Sequence, residues 1–237
     1  MTDFSGKKVF VLGGSRGIGA AIVRRFAGDG ASVTFSYAGS HDAAQALAAE
    51  TGATAIRSDA ADRQAVTDVV AAQGPIDILV VNAGVAILGD PLELDPDAID
   101  RLFDINIRAP YHAAVEAGRR MPEGGRILVI GSNIANAVPF AGATAYATSK
   151  AALQGLGRGL ARDFAARGIT VNIIQPGPTD TDMNPADGPL AEQLDGFMAI
   201  KRYATTQEIA GLAAFLAGPD AAMITGATHT MDGGFSA

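Results

Sequence analysis

The sequence predicts a single doubly wound α/β domain, a parallel sheet of about seven strands with helices on both faces. Three observations carry this. Short, nearly all-apolar runs alternate with Ala-rich amphipathic segments along the chain, the pattern of strands covered on both faces and joined by right-handed crossover helices. A glycine-rich turn links the first apolar run to the first helix. The 237 residues, 48% of them hydrophobic, suffice for one substantial core, and no linker divides them.

The elements follow in order. Residues 7–12 (KKVFVL) are the first strand and 17–28 the first helix; 32–37 (SVTFSY) and a helix through 41–50 come next. A short third strand at 54–57 leads to a helix near 62–72 and to a fourth strand at 76–81 (IDILVV). One helical stretch is expected over 96–120, then a strand at 126–130 (RILVI). The helix over 144–167 carries Leu153, Leu156, Leu160 and Phe164 on one stripe, and Gly168 stops it. A sixth strand spans 169–174, Thr205 and Glu208 form a capping box opening a helix through Leu216, and 228–231 is a last short strand. Residues 176–200, rich in Pro, Gly and Asp, are expected to be irregular and to act as a mobile flap.

Composition removes several function classes. With 18 basic and 25 acidic residues the net charge is −7, which argues against an extended DNA or RNA surface. The absence of cysteine excludes disulfides, thiolate metal sites and cysteine nucleophiles. His41, His112 and His229 have no metal-ligand spacing, so no metal is expected. The N-terminus, MTDFSGKKVFVLGG, lacks the basic-then-apolar run of a signal peptide, and no apolar stretch is long enough for a bilayer. A cytoplasmic protein with no membrane partner is the expectation.

Between the first strand and first helix lies Gly13-Gly14-Ser15-Arg16-Gly17-Ile18-Gly19. Glycine serves where backbone turns tightly against a pyrophosphate, and the following helix offers unpaired N–H groups and its positive dipole end. With a strand before and a helix after, the turn has the context of a Rossmann dinucleotide site. Gly13, Ser15, Arg16, Gly17, Ile18 and Gly19 are its expected contacts. At the end of the second strand, where NAD sites carry an acid for the ribose hydroxyls, this chain has Ser36-Tyr37-Ala38 and no carboxylate before Asp42. Arg16 is available to pair a 2′-phosphate; its alternative reading is a solvated surface residue. A missing acid and a present Arg favour NADP (NADPH).

Tyr146-Ala147-Thr148-Ser149-Lys150 is a Y-x-x-x-K on the long helix. Residues four apart share a face, so phenol and ammonium can address one ligand, and the positive charge is expected to lower the phenol's pKa. Tyr146 would then exchange a proton with a carbinol or carbonyl oxygen. Ser132 follows the fifth strand at the carboxyl edge where ligands bind, placed to hydrogen-bond that oxygen. Asn82-Ala83-Gly84 follows the fourth strand, Asn106 lies on the next helix, and Pro176-Gly177 follows the sixth strand.

Taken together and in this order, these motifs resemble the short-chain dehydrogenase/reductase family from Lys7 to Gly234. The resemblance implies a catalytic tetrad of Asn106, Ser132, Tyr146 and Lys150. Tyr146 would be the general acid/base, Lys150 would hold the nicotinamide ribose, Ser132 would orient substrate, and Asn106 would support a proton-relay water. It further implies that Asp59 meets adenine, that Asn82 lines the cofactor cleft and that Thr181 binds the carboxamide. The expected activity is interconversion of a small-molecule carbonyl and a secondary alcohol. Four departures stand out: Leu12 replaces the usual Thr before the first glycine, Val81 the first Asn of Asn-Asn-Ala-Gly, and Thr179 an aliphatic residue. Residues 201–205 (KRYAT) replace a segment closer to Arg-x-Gly.

Phrases such as GGSRGIGAAIVRRF, DILVVNAG and MPEGGRIL resemble one subgroup of that family, which includes a cyclic-di-GMP-binding regulator. Cyclic-di-GMP binding on a dehydrogenase scaffold is therefore the alternative function. Arg101-x-x-Asp104 and Arg158-x-x-x-Arg162 have suitable arginine spacing, yet both fall on predicted helices and read more simply as solvated faces or ion pairs. Finally, Gly155, Gly157 and Gly159 sit in the long helix, although glycine costs about 1 kcal/mol in a helix interior. Close approach of a second chain, giving a homo-oligomer with tetramer favoured, stands against packing on this chain's own sheet.

Overall fold

A computed structural model describes residues 2–237. Seven strands form one sheet in the order β3-β2-β1-β4-β5-β6-β7, and every pairing is parallel. The strands are β1 (Lys8–Leu12), β2 (Ser32–Tyr37), β3 (Thr54–Arg57), β4 (Ile78–Val81), β5 (Arg126–Ile130), β6 (Thr170–Pro176) and β7 (Thr228–Met231). Between them run α1 (Gly17–Gly28), α2 (His41–Thr51), α3 (Arg63–Ala71), α4 (Pro96–Phe103), α5 (Ala109–Arg120), α6 (Thr144–Asp163), α7 (Ala191–Phe197) and α8 (Thr206–Ala217). None of the described helices is long and apolar enough to cross a membrane.

The near-continuous apolar strands are explained by a core on each face. Successive strand residues point to opposite sides. In β1, Val9 and Val11 join one cluster with Ile22, Val23 and Phe26 of α1 and Ile209 and Ala213 of α8. Phe10 and Leu12 join the other with Val66 of α3, Ala113 of α5 and Leu153 and Leu160 of α6. Full burial of one such side chain contributes about 1.5–3 kcal/mol, so β1 is held from both sides.

Two of the departures from the family pattern turn out to be neighbours. Leu12 and Val81 are register partners across β1 and β4, both buried in the same cluster. A polar pair has been exchanged for an apolar pair, and neither position leaves a buried donor unmatched. The turn that would have used the Thr is held instead by Ser36, whose Oγ accepts from the Gly13 N–H at 3.0 Å.

The structure corrects the expected elements in four places. The stretch over 96–120 is not one regular helix: α4 and α5 are separated by a π-helical turn, Asp104–Arg108, which contains Asn106. Such wide turns recur at functional sites. The fourth strand begins two residues late, because Asp77 accepts the Lys8 N–H at 2.9 Å and caps the strand entrance. The segment 176–200 is not wholly irregular, since α7 buries Leu194 together with Met198 and Tyr203. The fourth is Arg101-x-x-Asp104, which lies not on one regular helix but on α4 and the π-helical turn; both residues form ion pairs, as expected, Arg101 with Asp59 and Asp104 with Arg108. The capping box of Thr205 and Glu208 is present as expected. Gly168 stands at φ 63°, the left-handed stop after a short 3-10 turn, Ala165–Arg167.

Candidate active site

The strand order reverses at β1, which pairs with β2 on one side and β4 on the other. Crevices form at such switch points beyond the carboxyl ends of the strands. Here a cleft of about 690 Å³ runs across them. All the expected catalytic and cofactor-contacting residues line it except Gly19 and Asn106.

The glycine turn forms the first wall. Gly13 has φ 83°, and a Cβ there would lie 2.7 Å from the Ala83 backbone. At Gly19 a Cβ would run into the Gly13 carbonyl oxygen and lie 2.6 Å from Asn82 Nδ2. Asn82 is the buttress of this wall, donating from Nδ2 to Gly13 O at 2.6 Å. As in α2, α5, α6 and α7, no side chain caps α1. Gly17 and Ile18 of its first turn face the cleft. A cradle that any Cβ would fill, against free helix N–H groups, fits a pyrophosphate.

Ser36, Tyr37, Ala38 and Asp59, from the ends of β2 and β3, line the cleft as well. Ser36 is buried and spent on the turn, while the Tyr37 hydroxyl shares a 2.8 Å hydrogen bond with His41 Nδ1. Asp59 is held below the ordinary carboxylate range, first by the Ala61 N–H and then by the Arg101 guanidinium. Arg101 donates from Nη2 to both carboxylate oxygens, at 3.0 and 3.3 Å. Arg16 is exposed, its Nη1 3.8 Å from Asp182 Oδ2. Thr181 rests on the glycine turn, with Cγ2 3.3 Å from where a Gly17 Cβ would stand. The segment after β6 thus lies against the start of α1.

At the other end Tyr146, Ser132 and Lys150 converge. Ser132 leaves β5 in extended backbone and its Oγ accepts the Ile134 N–H at 3.3 Å. Lys150 is buried, donates from Nζ to Ile130 O at 3.1 Å, and lies 5.9 Å from the centre of the Tyr146 ring. Burial lowers this ammonium to about 8. The phenol does not behave as the sequence suggested: burial raises the Tyr146 pKa, and the Ser132 hydroxyl offsets only part of the rise. The Lys150 ammonium is bonded to the Ile130 carbonyl.

Asn106 works as a brace. Its Nδ2 donates to Val85 O at 2.9 Å and to Ser149 Oγ at 3.0 Å, and its Oδ1 accepts the Val85 N–H at 2.9 Å. Ser149 in turn donates to the Tyr146 carbonyl at 2.7 Å. The π-helical turn is therefore tied through Ser149 to the helix that carries Tyr146 and Lys150. Sequence reasoning missed Ser149, although a polar residue inside Y-x-x-x-K on an otherwise apolar face was its signal. It also missed Arg101 as a cleft residue and the apolar group Leu88, Ile134 and Phe140 around Tyr146. Thr179, the third departure, is buried and its Oγ1 donates to Gly177 O at 3.0 Å.

Comparison with known proteins agrees with this arrangement. A family model described as enoyl-(acyl carrier protein) reductase matches residues 13–236. The chain is 64% identical to the cyclic-di-GMP-binding biofilm dispersal mediator protein of Escherichia coli, over the full length of both. It is 64% identical to a crystal structure of BdcA in complex with NADPH, with TM-score 0.98, covering 99% of this chain and 96% of that one. A short-chain dehydrogenase from Burkholderia cenocepacia in complex with NADP is 48% identical, with TM-score 0.96 and 99% of each chain covered. The glycine cradle, the Ser-Tyr-Lys cluster and these relationships converge: the chain belongs to the short-chain dehydrogenase/reductase family.

Proposed function

We propose that this protein is an NADP(H)-dependent oxidoreductase that interconverts a carbonyl and a secondary alcohol. One observation carries the reading: Ser132, Tyr146 and Lys150 line the same cleft as the uncapped start of α1 and its glycine turn. When bound, the reduced dinucleotide supplies a hydride to the substrate's carbonyl carbon. Tyr146 gives its proton to the carbonyl oxygen, and Ser132 donates a hydrogen bond to that same oxygen. A phenol raised by burial stays protonated at neutral pH, which suits it to the reductive direction. Pro176, Gly177 and Thr181 border the nicotinamide end, and residues 176–200 serve as the cover that moves over it. A panel of ketones with NADPH tests the activity, and absence of any turnover overturns it.

Arg16 selects the cofactor. A charge-assisted hydrogen bond contributes about 1.5–3 kcal/mol, roughly 10–100-fold in affinity. Arg16→Ala should reduce NADPH affinity by that factor and leave NADH affinity unchanged, as titration of each cofactor will read. Equal wild-type affinities for both would remove the assignment.

Lys150 makes cofactor affinity depend on pH. Its ammonium loses its proton near 8, so it offers the ribose a charge-assisted hydrogen bond below that pH and only the weaker bond of a neutral amine above it. NADPH affinity should fall as pH rises through about 8, and Lys150→Met should flatten the profile. For stability the sign is opposite. The folded lysine binds its proton less tightly than the unfolded chain, whose value is near 10.5, so this group disfavours folding most below pH 8. That penalty is relieved as pH rises from about 8 toward 10.5.

Self-association belongs to the same reading. A Gly157 Cβ would strike Ile173 at 2.9 Å, so that glycine is explained within the chain. Gly155 and Gly159 meet nothing within 4 Å and open onto a groove of about 590 Å³ between α5 and α6. Tyr111 on its rim is half exposed. A homotetramer is expected, and light scattering that returns 24.1 kDa would refute it.

The competing reading, a cyclic-di-GMP-binding regulator, rests on the name of the Escherichia coli relative. Arg101 is committed to Asp59, while Arg158 and Arg162 are exposed on α6 with no ion pair among the described residues. Titration with cyclic-di-GMP beside the ketone panel separates the two.

A further inference from the structure

The walls of the cleft differ sharply from one end to the other. The apolar lining comprises Leu88, Ile134, Phe140, Met183, Leu190 and Leu194, of which Ile134 and Phe140 pack with Tyr146 and Phe140 in turn packs with Leu194. Three of these stand in water at the mouth: Leu88 is 44% exposed, Met183 65% and Leu190 43%. Large apolar side chains gathered at one rim mark a surface that is covered in use, since exposing them forfeits about 25 cal/mol for each Å².

Charge at this end is accounted for. The charged side chains lining the cleft are Arg16, Asp59, Arg101, Lys150 and Asp182. Arg101 is paired with Asp59 at 3.0 Å, Arg16 faces Asp182 at 3.8 Å, and the Lys150 ammonium is bonded to Ile130 O beneath Tyr146. Among the described residues, no cation is left to meet a carboxylate or phosphate on the substrate. Asp182 beside the mouth and the net charge of −7 oppose an anion further. Placing an unpaired anion against apolar walls costs far more than placing a neutral group there.

Building on the oxidoreductase reading, we infer that the substrate is a neutral carbonyl compound with apolar groups on both sides of the carbonyl. Leu88, Phe140, Met183 and Leu190, which line the cleft with Tyr146, are its specificity residues.

The test uses the wild-type protein loaded with NADP⁺, which cannot reduce a ketone, so calorimetry reads binding alone. The probes are ethyl 3-oxohexanoate and the matched acid, 3-oxohexanoate. The ester should bind at least about tenfold more tightly. Leu190→Lys should narrow the ratio by weakening the ester and strengthening the acid. An acid that binds as tightly as the ester, or failure of both to bind at millimolar concentration, overturns the inference. Turnover is measured separately with NADPH. An ester that binds but is not reduced supports this ligand class and counts against the redox reading, so the two failures are distinct.

Discussion

Tyr146→Phe is expected to lower kcat by roughly 10²–10⁴-fold, the usual contribution of a positioned proton donor. The variant loses one oxygen atom and nothing else. Its ring still packs with Phe140 against Ile134, Ala143 and Ala147. The brace through Ser149 is made to the Tyr146 backbone carbonyl, which the substitution leaves in place. NADPH affinity and thermal stability should therefore stay close to wild type while turnover of any substrate collapses. Steady-state kinetics with a reduced ketone, beside fluorescence titration of NADPH, will read both quantities. Unchanged turnover would take Tyr146 out of the mechanism.

Gly19→Ala should have a comparably large effect by a purely steric route. The new methyl group would meet the Gly13 carbonyl and crowd Asn82 Nδ2, breaking the 2.6 Å bond that holds the turn. Overpacking of this kind costs about 1–3 kcal/mol, and the distortion falls on the phosphate cradle itself. Loss of measurable NADPH binding, with a lowered Tm, is the expected result. Gly28→Ala in the same helix is the control, because nothing lies within 4 Å of its Cβ position. It should be neutral or stabilise by about 0.4–1 kcal/mol through the unfolded chain. Normal cofactor binding by Gly19→Ala would show that the cradle relaxes.

The fold was legible where local pattern and long-range structure agree. Strands such as β1 and β4 are apolar on both faces because they are covered on both faces, and the Thr205 capping box announces α8 in four residues. The turn at Gly13 was equally plain, since only glycine fits there. What escaped were relationships between distant residues. Leu12 and Val81 read separately as two losses, but they are one apolar pair in the sheet. The partners of Asn106 were equally hidden: its side chain bonds Val85 and Ser149, far away in sequence. The π-helical turn that carries it leaves no mark in composition, because a wide turn and a regular one use the same residue types. Helix α7 was hidden by its Asp and Gly, and only the burial of Leu194 against Tyr203 justifies it.

The place where the strand order reverses also bears on how the chain acquires and keeps its shape. Val9 lies beside Val33 on one side and Ile78 on the other, so the middle of the sheet closes a far longer loop than its first strand-helix-strand unit does. Parallel pairings over such distances form slowly, after local units are already in place. The cleft sits on this late seam, with Gly13 and Ala83 contributed from its two sides. A dinucleotide bound there bridges the early and late parts of the molecule. At a hundredfold excess over Kd it would add about 2.7 kcal/mol against unfolding. The seam thus makes the cofactor a clamp on the native state, and the lifetime of the protein would follow the supply of its dinucleotide.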